Sequence, residues 1–206
     1  MKPTQRTFAV TATDYLNRLQ SCFRPDILSA VELMAIELHK AWIDGRNVYI
    51  CGNGGSAANA VHMANDFHFG IGACGPGLAL PGLCVEALSA NTAIISCLAN
   101  DIGYQNIFAH QLKVKARPTD ILIALSGSGN SPNIIRALEV SAQMNMTSFA
   151  ILGFDGGKSL ALADFPIHFQ IDDMQIAEDS QLVVGHLCMK WLNSHKPKQM
   201  KALSDA

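Results

Sequence analysis

The chain of 206 residues carries 15 Lys and Arg against 17 Asp and Glu, a formal charge of −2, and is 49% hydrophobic and only 16% charged. That balance fits one well-cored globular domain rather than a disordered chain, and no basic block of the kind that neutralises a phosphate backbone is present, so nucleic acid is not expected as a direct partner. No apolar run nears the roughly 18 residues of a membrane span, and the start turns polar after Phe8-Ala9-Val10, too soon for a signal peptide, so a cytoplasmic protein with no membrane partner is expected.

In chain order, Tyr15, Leu16 and Leu19, then Ile27, Leu28, Val31, Met34 and Leu38, recur at helical spacing and predict two N-terminal helices within residues 1–45. After Asp44-Gly45, the run Val48-Tyr49-Ile50-Cys51 reads as a strand. It ends in Gly52-Asn53-Gly54-Gly55-Ser56, and a helical pattern follows to about Phe69. A Gly/Pro-rich stretch (70–82), a strand near Leu83 to Leu88 and helical segments to about Val114 come next. Asp120 to Leu125 is an almost wholly apolar strand, Ser126-Gly127-Ser128-Gly129-Asn130-Ser131 a loop, and Pro132 to Met144 a helix with Pro in its first turn and Ser131 as its natural N-cap. Thr147 to Leu152, a turn Gly153 to Lys158, a short helix, a strand Phe165 to Phe169 and a last helix from about Ala177 to Ser194 complete the pattern. Alternating helices with continuously apolar strands predict a parallel sheet covered on both faces, with 46–195 as core and 196–206 as tail of one domain spanning 1–206.

Ligands of such sheets bind beyond the carboxyl ends of the strands, where the two small-residue loops lie. Amides left unpaired at a helix start, with hydroxyls beside them, can wrap a phosphate. Plain tight turns with a serine cap are the other reading. Ala57 spoils G-x-G-x-x-G, and Ser126 stands where a nucleophile elbow centred on Ser128 needs glycine. Six cysteines (22, 51, 74, 84, 97 and 188) form no C-x-x-C pair and read mostly as small core residues.

Taken together, the motifs resemble the sugar isomerase (SIS) domain family, nearest its phosphoheptose isomerase branch. Gly52-Asn53-Gly54-Gly55-Ser56-Ala57-Ala58 is similar to its first loop, Ala99-Asn100-Asp101 with Gly103-Tyr104 to its middle motif, Leu125 to Ser131 to its phosphate loop, and Gly153 to Lys158 with Ala163-Asp164 to its late turn. The resemblance covers about residues 10–195 and implies a three-layer αβα sandwich around a five-stranded parallel sheet (flavodoxin-like), assembled as a homotetramer. It implies phosphate and sugar contacts at Asn53, Gly54, Ser56, Asn100, Asp101, Ser126, Gly127, Ser128, Ser131 and Gln175. Gly127 replaces the family's usual threonine, so one hydroxyl of that set is absent while the backbone amide remains.

Isomerising a phosphorylated sugar takes a base for the carbon-bound proton and an acid or electrophile at the enediol oxygen. His62 and Asp66, spaced i, i+4, share a helix face, although a surface carboxylate beside a packed histidine has the same spacing. By resemblance His62 is a metal ligand and Asp66 the base. The family has glutamate at 66, and the missing methylene shortens reach by roughly 1.5 Å, enough to lower a rate on the order of 100-fold if the backbone does not compensate. On the last helix, one register puts Glu178 at a metal-binding position and His186 at the catalytic histidine. A three-residue shift would put Gln181 and Met189 there. The first register, which keeps a histidine, is adopted; it gives His62, Asp66, Glu178 and His186 as ligands of Zn²⁺ or another divalent ion. Glu178 and His186 lie about 12 Å apart along a helix, so holding one ion together requires a frayed first turn or a neighbouring subunit.

The expected reaction is conversion of sedoheptulose 7-phosphate to D-glycero-D-manno-heptose 7-phosphate for lipopolysaccharide or capsule synthesis, with Asp66 as base and His186 as acid. Two alternatives stay open: isomerisation of another sugar phosphate, and a non-catalytic phosphosugar-binding module of the replication-initiator-binding type.

Overall fold

A computed structural model describes residues 7–72 and 80–198. Cys74, most of the Gly/Pro-rich stretch and the end of the expected tail lie outside them. Within the described residues, β1 (Asn47–Gly52), β2 (Cys84–Ala87), β3 (Ile121–Ser126), β4 (Thr147–Leu152) and β5 (Phe165–His168) form one parallel sheet in the order β2-β1-β3-β4-β5.

Each central strand is apolar on both sides, and period-2 alternation divides its side chains between two cores. Val48, Ile50, Ile121, Ile123, Leu125, Phe149 and Ile151 face the first. There they meet α2 (Pro25–Asp44), α3 (Gly55–Asn65) and α8 (Met174–Ser194) through Met34, Leu38, Met63, Val184 and Cys188. Tyr49, Cys51, Leu122, Ala124, Ala150 and Leu152 face the second, against α5 (Ile107–Lys115) and α6 (Pro132–Gln143). The αβα sandwich expected from the sequence is therefore present, with α1 (Phe8–Ser21), α4 (Thr92–Ile102) and the short α7 (Ser159–Leu162) completing the described helices.

The sheet order creates the binding crevice. The chain leaves β1 towards β2 on one side and continues from β3 to β5 on the other, so the loops after β1 and β3 diverge and open a cleft at the switch point. Those loops are Asn53–Gly54 and Gly127–Ser131.

Three local readings change. The helix after the first loop ends as an α-helix at Asn65 and continues as one π turn, Asp66–Gly70, closed by Ile71 N–H donating to Asp66 C=O at 3.1 Å. The last helix begins three residues before the expected start, because Asp173 caps it by accepting from Gln175 N and Ile176 N. Ser131 sits at the N-cap of α6 but makes no side-chain cap bond, which leaves its hydroxyl for another partner.

Most of the described cysteines are core residues, as expected. Cys22, Cys51 and Cys188 are buried, whereas Cys84 and Cys97 are exposed, on an edge strand and on α4. Both elements lie at the margin of the layers, where an apolar residue is not forced inward.

Candidate active site

Helices α3 and α8 run side by side in the same direction. Asn59 Nδ2 donates to Glu178 O at 2.9 Å and to Gln181 Oε1 at 3.2 Å; further along, Gly185 leaves room for Met63, and Gly70 lies against Met189. This pairing brings His62 and Asp66 opposite His186. The two Nε2 atoms are 3.1 Å apart, and Asp66 Oδ2 is 3.4 Å from His62 Nε2 and 3.5 Å from His186 Nε2. Met189, the alternative of the shifted register, packs away from this group.

Those three separations test whether a metal fits. Ligand atoms about 2.0–2.1 Å from a tetrahedral centre are about 3.3 Å from one another, and the trio matches that spacing on every side. Two imidazoles and a carboxylate are also a donor set zinc accepts with a fourth position left open. Solvent reaches both imidazoles, while Asp66 is mostly covered. Among the described residues this is the group of metal-type side chains whose ligand atoms converge.

Glu178 does not join it, contrary to the four-ligand set expected from the sequence. Its carboxylate lies against Gly55, at the start of α3, where any Cβ would overlap it. The helical rise between Glu178 and His186 explains the separation, since α8 is regular through both residues and no frayed turn brings them together.

The second part of the site is a cavity of about 260 Å³ bounded by Asn53, Gly54, Gly55, Ser56, Ser126, Gly127, Ser128, Ser131, Met174 and Glu178. Gly54 has φ 55° and ψ −122°, a conformation suited to glycine that turns the chain into α3. The serines differ in availability. Ser126 is buried and accepts from Gly129 N at 3.1 Å, so it shapes the loop from within. Ser128 accepts from Asn130 N at 3.3 Å. The volume vacated by the family's threonine at 127 is taken by the Met174 thioether, which reaches the place a Cβ would occupy.

Asn53 is held by two residues that had no expected role, Asn133 and Tyr104. It donates to Asn133 Oδ1 at 2.9 Å and accepts from Asn133 Nδ2 at 2.8 Å and from Tyr104 O–H at 2.9 Å. Tyr104 was visible in the middle motif; Asn133, one residue inside a helix, gives no sequence signal of its own. Three expected sugar contacts are not brought to this cavity. Asn100 and Asp101 lie exposed at the end of α4, bonded to each other at 2.7 Å, and Gln175 is exposed in the first turn of α8. Three of the five remaining histidines have other partners: His168 meets Phe154 O at 3.0 Å, and His39 and His195 pack on Trp191.

A parallel sheet with two amide- and hydroxyl-bearing loops at its switch point, beside a His–Asp–His group spaced for a metal, defines an α/β protein equipped for an anionic ligand. Residues 7–153 match the SIS domain family, and the chain belongs to it. It is 35% identical to a phosphoheptose isomerase of Trichlorobacter lovleyi over 89% of this chain and 90% of that one. It is 34% identical to one of Rhodospirillum rubrum over 91% and 94% respectively. The solved phosphoheptose isomerase of Neisseria gonorrhoeae superposes with a TM-score of 0.77 at 26% identity, covering 90% of this chain and 96% of that one.

Proposed function

We propose that this protein is a phosphosugar aldose–ketose isomerase that converts sedoheptulose 7-phosphate to D-glycero-D-manno-heptose 7-phosphate. The observation that carries this reading is the convergence of His62, Asp66 and His186 on the α3–α8 seam, whose start lines the serine-loop cavity. Relatives named phosphoheptose isomerase, similar along nearly their whole length, support the substrate.

The reaction moves one proton from C1 to C2 and one from O1 to O2. The serine and glycine loops hold the phosphate with backbone amides and with the hydroxyls of Ser128 and Ser131. Asp66 turns Oδ2 to both imidazoles, leaving Oδ1, with only a 3.4 Å contact from Asn65 Nδ2, to take the proton from C1 and return it to C2. As the C1–H bond breaks, its electron pair forms C1=C2 and the carbonyl pair moves to O2. His186 carries the hydroxyl proton from O1 to O2 on Nδ1, the ring nitrogen that does not face His62 and Asp66. His62, Asp66 and His186 would hold a divalent ion, zinc on the spacing of their ligand atoms, which supplies Lewis acidity towards the carbonyl oxygen.

The reading includes a homotetramer in the cytoplasm that supplies a heptose phosphate for surface polysaccharide. Self-association is supported by α1 and α4, which bury none of their residues within the chain while exposing Phe8, Leu16 and Ile102. Among the described residues no helix is long and apolar enough to cross a membrane.

The test is proton exchange: metal-loaded protein and sedoheptulose 7-phosphate in D₂O, followed by NMR. Deuterium entering the sugar with appearance of the aldose, both abolished in Asp66→Asn, is the expected result. Binding without exchange across pentose, hexose, heptose and amino-sugar phosphates would replace this reading with a non-catalytic binding module.

A further inference from the structure

The serine loop is tied from behind. Each carbonyl of residues 127–129 has a donor: Gly127 O accepts from Gly153 N at 2.9 Å, and Ser128 O from Asn130 Nδ2 at 3.1 Å. Gly129 O accepts from Ser159 N at 3.0 Å and from Ser159 Oγ at 2.7 Å. Gly127 and Ser128 line the cavity, whereas Asn130, Gly153 and Ser159 stand outside it, so these bonds draw the carbonyl oxygens away from the cavity.

Asn130 also joins the loop to the turn after β4. Its Oδ1 accepts from Lys158 N at 3.1 Å, and its backbone N–H donates to Ser128 Oγ at 3.3 Å, which leaves the Ser128 hydroxyl proton for a ligand. Ser159 is fully buried and directs both its donors at one carbonyl. The close approach of loop and turn also accounts for a glycine on each side. A Cβ at residue 157 would overlap the Asn130 amide and Ser128 O, and one at residue 129, where φ is 64°, would overlap Gly156 O. A carbonyl oxygen turned towards an anion repels it, whereas N–H and O–H groups attract it, so the direction of these carbonyls bears on what the loop can hold.

We propose that Asn130 and Ser159 are positioning residues for phosphate binding: they hold the Ser128 and Gly129 carbonyls back, so that the loop presents the anion with donors alone. Neither side chain touches the ligand; each acts through the loop carbonyl it binds. The proposal depends on the cavity taking a phosphate group and holds whether the bound sugar is isomerised or only bound.

The experiment compares wild type, Asn130→Ala, Asn130→Asp and Ser159→Ala in the full-length protein, with thermal melts to verify folding. Calorimetric titration gives the affinities for inorganic phosphate and for zinc, and the NMR shift of the Ser128 carbonyl carbon reports whether its hydrogen bond persists. Asn130 is exposed, so its variants keep the fold even where the buried Ser159→Ala does not. Asn130→Ala is expected to weaken phosphate binding roughly 3- to 10-fold, with the Ser128 signal moved and zinc affinity kept. Asn130→Asp retains the acceptor for Lys158 N–H but sets an acceptor against Ser128 O, so its phosphate affinity should be lower still. Ser159→Ala should lose less, because Ser159 N–H stays on Gly129 O. KM for sedoheptulose 7-phosphate should rise in step with the lost phosphate affinity, with a smaller effect on kcat. Wild-type phosphate affinity in Asn130→Ala or in Asn130→Asp would overturn the proposal. So would equal loss of phosphate and zinc affinity, the mark of general loosening, or wild type that binds no phosphate. Wild type that binds phosphate with this dependence on Asn130 but exchanges no deuterium into the sugar would retire the isomerase reading and leave the positioning role standing.

Discussion

Asp66 shows how much one side chain decides. A carboxylate one methylene shorter than the family's glutamate still lies 3.4 and 3.5 Å from the two imidazoles, at the end of α3 where the chain passes into the π turn. Such turns shift the backbone within a helix and recur at functional sites. Asp66→Ala and His186→Ala should each lower zinc affinity at least 10-fold, read by titration against a chelator; a variant that keeps full affinity would remove its residue from the ligand set. The serines separate in the same way. Ser126→Ala removes the acceptor of a buried amide and should lower stability by about 1 kcal/mol, measured by urea unfolding. Ser131→Ala should leave stability unchanged and weaken phosphate binding, since its hydroxyl caps nothing.

The buried thiols give a pH prediction at this scale. Burial pushes Cys51 and Cys188 from an ordinary value near 9 up to about 12. A folded-state value above the unfolded one means that their contribution is fully present below pH 9 and is lost as pH rises towards 12. Melting temperature should therefore fall across that window, and Cys51→Ser should flatten part of the fall. Alkylation of the native protein should label Cys84 and Cys97 well before either buried thiol.

Elements act through the α3–α8 seam. Its register is set by a side-chain clamp at Asn59 and a close approach at Gly185, where a Cβ would meet Met63. Gly185→Leu should push the helices apart and separate His186 from His62, so zinc affinity should fall although no ligand is changed. Met63→Ala in the same variant tests the cause: partial recovery is expected if crowding is responsible. An unchanged affinity in Gly185→Leu would show that the seam does not position the trio. This register is also why sequence reading left His186 and Met189 open, as one helix read alone does not reveal which face its neighbour meets.

For the whole molecule, the unburied α1 and α4 are the feature to test. Exposed apolar side chains on these two helices are the contact surface of the proposed tetramer, so Leu16→Glu should shift the protein towards smaller species in sedimentation velocity. Wild type that sediments as a monomer at micromolar concentration would remove the tetramer from the reading. The layered architecture itself was legible in the sequence, because fully apolar strands such as Ile121 to Leu125 are stable only when both faces are covered. The two loops were legible as well, since runs of Gly, Ser and Asn between a strand and a helix mark tight turns that bare amides and hydroxyls at the helix start.

The remainder depended on contacts between residues far apart in the chain. Sequence alone determined the elements, the sheet class, the two loops and the His62–Asp66 pair, because each follows from local spacing and residue type. Tertiary structure decided that His186 meets that pair while Glu178 lines the cavity between the two loops, that Tyr104 and Asn133 hold Asn53, and that Asn100, Asp101 and Gln175 stand outside the cavity. The physical reason is that a helix presents several faces at once, and only its packing against a neighbour determines which side chains come within a few ångströms of one another.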